Sequence, residues 1–449
     1  MITGEIYQSK IEKLTNLGLG LARIDGMVVF VDNACPEDIV KIKITKVNKN
    51  FANAKIEEIL EPSPHRIKPF CPMQKICGSC QIQFIDYDYQ LELKKDIVKE
   101  TIQTIANLEM DIPKTIPSPD IKNYRHKIQY PVSQTKNSKR LLAGYYKPAS
   151  HEIVNIKYCP IQPKICDDII EFIREASQKY NITAYDEKKH QGELRHVLIR
   201  HSNYNQKCLI TLVINNNTVS DIIKEFSHAI FNKFNEISGV CVNFNQKRSN
   251  IILGEQTECI VGDEFILEKI CSKVFKIASE TFFQVNPKSA ENIFDYIKNF
   301  IKTNYKTPTI LDAYSGISTI GICLSDIAKS VVTIEENKKS VKLAKESLKV
   351  NNIDNIEIHS GDAQEYFKNE KREFDIIILD PPRKGCTPDS LNYALKLCKG
   401  HIIYVSCNPA TLARDLKYLK ENNCNIQSIQ PFDMFCHTYH IENVAIIKV

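Results

Sequence analysis

The last third of the chain alternates short apolar runs with amphipathic stretches, and this pattern restricts the fold more than any other feature. Thr309-Ile310-Leu311-Asp312, Val331-Val332-Thr333-Ile334, Phe374-Asp375-Ile376-Ile377-Ile378-Leu379 and His401-Ile402-Ile403-Tyr404-Val405 read as buried strands. Thr319 to Ala328 and Lys338 to Asn351 have helical spacing. Strands that alternate with helices in this way build a parallel, doubly wound sheet. Ligands of such sheets bind at the carboxyl ends of the strands, so motifs found there are candidates for function.

With 449 residues the chain exceeds one compact core, and two or three domains are expected. Residues 1–60 read as short strands: Gly18, Gly20 and Gly26 break the pattern, Met27 to Val31 is a strand, and Lys41-Ile42-Lys43-Ile44 alternates charge with apolar residues. A small closed β-barrel is the natural solution, and Lys41, Lys43, Lys46, Lys49 and Lys55 give it a basic face. Glu61-Pro62-Ser63-Pro64-His65 reads as a linker. Residues 61–278 are mixed, with a helix over Asp88 to Leu108 and strands at Val197 to Arg200 and Leu209 to Ile214, an α+β domain. Residues 279–449 form the third region.

The first ten residues contain no apolar run of a signal peptide, and no stretch is long and apolar enough to span a bilayer, so a cytoplasmic location is expected. The net charge of +5 decides little, but its distribution is informative. From Ile121 to His151 there is no acidic residue, while Lys122, Arg125, Lys127, Lys136, Lys139, Arg140 and Lys147 interleave with Tyr124, Tyr130, Tyr145 and Tyr146. Cations neutralise phosphates and aromatic faces stack on unpaired bases, a mixture suited to RNA. A solvated basic face with its tyrosines turned to the core would read the same.

Leu311-Asp312-Ala313-Tyr314-Ser315-Gly316-Ile317-Ser318-Thr319 closes the first strand, and Gly316 lets a ligand approach the backbone. The second strand ends in Glu335-Glu336, where a carboxylate can bind ribose hydroxyls. Asp362, after the third strand, can hold an adenine amino group. The pyrophosphate fingerprint G-x-G-x-x-G is absent, which favours S-adenosylmethionine over a dinucleotide. Asp380-Pro381-Pro382-Arg383-Lys384-Gly385 ends the fourth strand in a stiff loop, and the carboxylate there faces substrate or caps a turn. Ser406-Cys407-Asn408-Pro409 ends the fifth, with Pro409 in the first turn of a helix, so Cys407 lies where the helix dipole favours thiolate. A single free Cys is also often only a small buried hydrophobe.

Carbon 5 of uracil is a poor nucleophile. Addition of a thiolate at carbon 6 gives an enolate whose carbon 5 can attack a methylsulfonium, after which a base removes the carbon 5 proton. Glu442, His437 and His440 are the candidate bases near the chain end. Such a target uridine must be flipped out of any helix to expose carbon 6.

Sixteen cysteines without an export signal point to metal binding or catalysis rather than disulfides. Cys71, Cys77 and Cys80 fall within ten residues and Cys159 follows, a set that suits an iron–sulfur cluster or a four-thiolate zinc site. Spacing alone does not separate the two.

Together these residues resemble the RNA 5-methyluridine methyltransferase family, in its iron–sulfur branch that modifies 23S ribosomal RNA, along essentially the whole chain. The resemblance implies a multidomain α/β protein: an OB-like TRAM barrel, a central α+β domain with a 4Fe-4S cluster, and a C-terminal Rossmann-like class I methyltransferase. It implies that Cys71, Cys77, Cys80 and Cys159 ligate the cluster, in a structural and not a redox role. The segment Phe282-Phe283-Gln284-Val285-Asn286 brings Gln284 to the site; Gln284, Tyr314, Glu335 and Asp380 then line the S-adenosyl-L-methionine pocket, with Cys407 as nucleophile and Glu442 as base. The implied partner is RNA, 23S rRNA ahead of tRNA, with no DNA, no membrane and a monomeric state. Ser318 stands where a second glycine is usual and Cys436 where a proline is common, departures expected to tilt the cofactor loop and loosen the base loop. Other readings are a tRNA uridine-5 methyltransferase, a catalytically idle RNA-binding accessory protein, and an adenine amino-group methyltransferase. The last class places an aromatic residue where Arg383 stands.

Overall fold

Charge–apolar alternation builds the N-terminal barrel. The structure, a computed structural model, describes residues 1–449. Strands β1 (Ile6–Lys10), β2 (Lys13–Leu14), β3 (Gly20–Ile24), β4 (Met27–Asp32), β5 (Ile39–Val47) and β6 (Phe51–Glu61) form one sheet in the order β1-β5-β6-β4-β3-β2. Glu12 N–H donates to the Leu21 carbonyl at 2.8 Å and closes the barrel. In β5, Val40, Ile42 and Ile44 are buried with Val29, Val31 and Ala54, while Lys41 and Lys43 stay part-exposed on the other face. The expected linker is pinned instead of loose. Buried Asp38 accepts from Ser63 N–H at 2.9 Å and pairs with Arg66, whose Nη2 lies 2.5 Å from Oδ2. A carboxylate this deeply buried needs such partners, and they fix the chain that leaves the barrel.

Helix α1 (Tyr87–Ala106) starts on Asp86, whose side chain accepts from Tyr89 N–H at 3.1 Å. The central sheet contains β7 (Lys127–Gln134), β8 (Leu141–Ala143), β9 (Leu194–His201), β10 (Cys208–Ile214), β11 (Ile237–Phe244) and β12 (Gln256–Gly262), in the order β12-β11-β10-β9-β7-β8. Helices α2 (Lys164–Lys179) and α3 (Asp221–Lys233) accompany it, and every residue of β10 is buried. A hairpin, β13 (Phe265–Ile270) and β14 (Lys273–Ala278), turns through Cys271 and Ser272, both at positive φ.

Then come α4 (Pro287–Asn304), β15 (Thr309–Ala313), α5 (Thr319–Leu324), β16 (Ser330–Glu335), α6 (Lys338–Val350), β17 (Ile356–Ser360), α7 (Ala363–Asn369), β18 (Phe374–Leu379), α8 (Pro388–Leu397) and β19 (Cys398–Ser406). These strands pair in parallel in the order β17-β16-β15-β18-β19, so the order reverses between β15 and β18. Helix α5 is shorter than its apolar spacing suggests. Ser325 Oγ bonds the Ile322 carbonyl at 2.9 Å, and Asn355 Nδ2 takes the carbonyls of Ser325 (2.8 Å) and Ala328 (3.1 Å), which ends the helix at Leu324. The chain finishes with α9 (Pro409–Glu421), β20 (Asn425–Phe432) and β21 (Glu442–Lys448). No helix is long and apolar enough to cross a membrane.

The chain divides into two compact units: Met1–Ser118 with Arg383–Gly385 and Ser406–Ile446, and Pro119–Pro382 with Cys386–Val405 and Ile447–Val449. Within the first, α1 packs on α9, and a buried ion pair fastens α1 to the segment after β20. Lys94 Nζ lies 2.6 Å from Asp433 Oδ1, with the two side chains 1% and 0% exposed. Lys94 also donates to the Phe435 carbonyl at 3.2 Å, and Tyr87 Oη donates to Asp433 Oδ2 at 2.8 Å. Gln90 Nε2 meets His437 Nδ1 at 3.3 Å, and Ile82 N–H donates to the His437 carbonyl at 3.0 Å. These contacts hold the loop that carries Cys436.

Removing one partner of a buried pair strands the other charge. Lys94→Met should destabilise the protein by about 3–5 kcal/mol, read as a lowered thermal transition. Lys94→Met/Asp433→Asn should recover part of that loss; a double variant as unstable as the single one contradicts the ion-pair account.

Candidate active site

In the second unit, four loops at the carboxyl ends of the parallel strands and the segment before α4 come together. After β15 the chain turns sharply through Tyr314 (φ 61°), Gly316 (φ 57°) and Ser318 (φ 59°). Ser315 N–H donates to the Ile334 carbonyl at 3.0 Å, which docks the loop on β16. Glu335 holds it from the end of β16: Oε2 accepts from Gly316 N–H at 2.9 Å and Oε1 from Asn337 N–H at 2.8 Å. Burial raises the Glu335 carboxyl above its ordinary range, and these two donors act against that shift.

Ser318 adopts the left-handed conformation that explains why glycine suits this position. Its buried hydroxyl lies 2.8 Å from Thr333 Oγ1, on the strand beneath. This hydrogen bond offsets part of the backbone cost of a serine in that conformation.

Asp312, to which sequence reasoning assigned no role, is the most perturbed acid of this region. It is fully buried, its Oδ2 accepts from Gly321 N–H at 2.9 Å, and its Oδ1 has no partner. Burial pushes its carboxyl up to about 8, opposed by the Gly321 donor and helped by the nearby Asp380 and Glu335 charges. The signal was present in the sequence: an acid inside an otherwise apolar strand. Asp380, part-buried after β18, is pushed up to about 7 by loss of solvent, and its N–H points to the Ala313 carbonyl at 3.5 Å.

Gln284 is half-buried on the segment that leads into α4, where Asn286 caps the helix through Ser289 N–H at 3.3 Å. Phe282, 60% exposed, lies against Gly316. Tyr314 is part-buried, and burial raises its hydroxyl, with Cys386 and Ser390 beside it. The expected residues Gln284, Tyr314, Glu335 and Asp380 thus occupy neighbouring loops of one unit. Asp362 is used as the cap of α7, accepting from Glu365 N–H at 2.9 Å, and borders a cavity of about 380 Å³ with His359 and Tyr366.

In the first unit, Cys407 is half-exposed and directly precedes the cap of α9. Asn408 is that cap: its side chain accepts from Ala410 N–H at 3.1 Å, and Pro409 occupies the first turn. Asn408 Nδ2 and Thr411 Oγ1 donate to the Arg383 carbonyl at 3.3 and 3.2 Å, and Arg414 Nη2 to the Lys384 carbonyl at 2.9 Å. The loop after the two prolines is therefore strapped to α9. Glu442 is buried at the start of β21. The next residue, Asn443, donates through Nδ2 to the Ser406 carbonyl at 3.3 Å, which sets Glu442 beside the strand end that carries Cys407. His437 is engaged by Gln90 and packed on Phe70 and Tyr87, and His440 packs on Phe435 and Tyr439.

Cys71, Cys77 and Cys80 lie in one irregular loop of the first unit, and Cys159 belongs to the second. Cys71 N–H donates to Gln83 Oε1 at 2.8 Å, Cys77 N–H to the Met73 carbonyl at 2.8 Å, and Gln74 Nε2 to the Cys80 carbonyl at 3.5 Å. Cys159 N–H donates to the Asp167 carboxylate at 3.2 Å. Within neither unit do three or more His, Cys, Asp or Glu side chains form a metal-binding group.

Residues 86–448 match the pattern of the tRNA (uracil-5-)-methyltransferase family, and residues 3–56 match the TRAM domain. The chain is 35% identical to an uncharacterized RNA methyltransferase of Oceanobacillus iheyensis, over 98% of this chain and 96% of that one. It is 36% identical to an uncharacterized RNA methyltransferase of Gloeobacter violaceus, over 100% and 97%. Among solved structures it is similar to the tRNA (uracil-54, C5)-methyltransferase of Pyrococcus abyssi in complex with S-adenosyl-L-homocysteine. That match has 26% identity and a TM-score of 0.78, and covers 98% of this chain and 100% of the other.

A carboxyl held protonated only in the folded state stabilises fully below its unfolded value near 4, and that contribution is lost as pH rises through about 8. Asp312 should therefore make stability fall by up to about 1.4 kcal/mol per pH unit across this window. In urea unfolding at pH 5.5 and 8.5, Asp312→Asn should narrow the gap between the two midpoints; an unchanged gap would show that another group carries it.

Proposed function

The chain belongs to the tRNA (uracil-5-)-methyltransferase family, with an N-terminal TRAM domain, and from that premise we propose that it methylates carbon 5 of a specific uridine in RNA through a covalent Cys407 adduct. It is an RNA methyltransferase, and S-adenosylmethionine supplies the electrophilic methyl carbon. Residues 1–60 serve as the RNA-binding barrel, 61–278 as the central domain and 279–449 as the catalytic domain of a monomeric, cytoplasmic enzyme. Gln284, Tyr314, Glu335 and Asp380 hold the methyl donor. Asp312 keeps the loop after β15 in place through the first turn of α5.

In the first step the Cys407 thiolate bonds to carbon 6 of the flipped uracil, and the ring's electron pair moves to the carbon 4 oxygen. Carbon 5 then takes the methyl group and the donor's carbon–sulfur bond breaks. Glu442 removes the carbon 5 proton, and the returning electron pair expels Cys407 and restores the ring. The observation that supports this reading is the 3.3 Å bond from Asn443 Nδ2 to the Ser406 carbonyl, which joins the chain neighbours of Glu442 and Cys407. The start of α9 favours the thiolate.

Cys71, Cys77, Cys80 and Cys159 are assigned as the ligands of a 4Fe-4S cluster. None of the four is in a disulfide, and four thiolates are the donor set of such a group. When bound it supplies a cross-link between distant stretches of chain. This set favours 23S rRNA as the target. The likeness to a tRNA (uracil-54, C5)-methyltransferase favours tRNA as the second reading. Mapping 5-methyluridine in ribosomal RNA and tRNA from cells lacking the protein decides between them, and no lost 5-methyluridine in either sinks both.

Cys407→Ala should abolish 5-methyluridine formation and leave RNA binding within about two-fold. Glu442→Gln should slow turnover by about 10²–10⁴-fold and leave a covalent protein–RNA species on denaturing gels. Wild-type protein with 5-fluorouridine RNA should be trapped at Cys407, and methylation without any adduct refutes the mechanism. RNA affinity should drop steeply between low and high salt, because the barrel lysines and the basic stretch from Lys122 to Lys147 displace counterions. A flat salt dependence contradicts that role.

A further inference from the structure

Beside β7 the second unit carries a groove of about 1210 Å³ that includes part of the basic stretch but takes no part in the methyl-transfer steps. It begins at the active-site segment. His126 N–H donates to the Val285 carbonyl at 2.7 Å, next to Gln284, and Arg125 lines the groove from the same end. From there it follows Gln129, Pro131 and Ser133 of β7, a run of about 26 Å from Arg125 at ~3.3 Å per residue. One wall presents a pair of stacked rings: the Tyr146 and His151 centroids lie 5.1 Å apart with planes 27° from parallel. Tyr146 is part-exposed and His151 exposed, so this stack opens on solvent.

The charges of the groove are unevenly spoken for. Its three acids are engaged: Glu152 pairs with Lys147, Asp186 accepts from the N–H groups of Lys188 and Lys189, and Glu187 receives Tyr146 Oη at 3.5 Å and His151 Nδ1 at 2.8 Å. Glu187 thus holds the ring pair in place. The exposed ammonium groups of Lys136, Lys139, Lys188 and Lys189 make no ion pair. A stacking platform set among unpaired cations matches a strand of phosphates whose bases are free to stack.

We propose that this groove binds the single-stranded RNA adjoining the target uridine, with one unpaired base stacked on the Tyr146–His151 pair and its phosphates on Lys136, Lys139, Lys188 and Lys189. A duplex hides its base faces and cannot use the ring pair. An acidic peptide could use the lysines but gains little from the rings. The proposal rests on the reading of the chain as an RNA methyltransferase and extends it to the flanking strand.

The test uses the full chain and fluorescence anisotropy, with an unstructured RNA of about eight nucleotides, an RNA duplex and an oligoglutamate as probes. Tyr146→Ala/His151→Ala should weaken single-strand binding by about ten-fold and change duplex binding less than two-fold. Tyr146→Phe, which keeps both rings and the 2.8 Å His151–Glu187 bond, should stay within about three-fold of wild type. Lys136→Glu/Lys139→Glu, on an exposed turn, should weaken the single strand by a similar factor, and Lys224→Ala on α3 should change nothing. Equal losses for single strand and duplex, unchanged binding in both groove variants, or oligoglutamate binding that is lost with the rings would each overturn the proposal. The methylation reading is judged separately, by whether wild-type protein forms 5-methyluridine on saturating RNA; the groove stands or falls on the binding constants.

Discussion

Parallel strands force every following loop onto one edge of the sheet, and the placement of the candidate site residues depends on that constraint. Because the order β17-β16-β15-β18-β19 reverses between β15 and β18, the loops after these two strands diverge and leave a crevice. The loop of Tyr314, Gly316 and Ser318 leaves one side of it and Asp380 the other. Neither loop is held by apolar packing alone. Glu335 receives Gly316 N–H, Asp312 receives Gly321 N–H, and Ser318 meets Thr333. Side chains of the strands thus fasten backbone donors that strand geometry leaves unused.

The surroundings of Cys407 follow a different principle. Cys407 and Glu442 are far apart in sequence, and neither is held by a regular ladder alone. Asn408 caps α9 and also ties it to Arg383, while Asn443 reaches back to the Ser406 carbonyl. Behind them, Lys94 and Tyr87 on α1 fix Asp433 and with it the segment that returns to Glu442. Two charges removed from water bind poorly in net terms but fix geometry firmly. Here the geometry fixed is that of the segment from Asp433 to Phe435.

Much of this was legible in the sequence. Continuous apolar runs gave the parallel strands to within a few residues, because strands covered on both faces admit no polar alternation. Charge alternation in Lys41 to Ile44 gave the barrel strand and its buried face. Other features were not legible because they depend on distant partners. The stop at Leu324 needs Asn355; the rigidity of Ser63 to Arg66 needs Asp38; and the hairpin turn at Cys271-Ser272 carries none of the glycine or asparagine that usually marks one. Of the three candidate bases, sequence could not choose. In the structure His437 meets Gln90, His440 packs on Phe435, and Glu442 precedes the residue that contacts Ser406. The raised carboxyl of Asp312 was signalled only by its place in an apolar strand, and its size follows from complete burial.

Ser318 and Thr333 lie fifteen positions apart, yet the left-handed turn makes them one unit. A side chain in that conformation costs about 1 kcal/mol relative to glycine, and the buried hydroxyl pair returns a similar amount. Lineages that carry glycine at the first position are released from any requirement for a hydroxyl at the second. Those that carry serine are not, so the two sites should drift together through evolution as a linked pair.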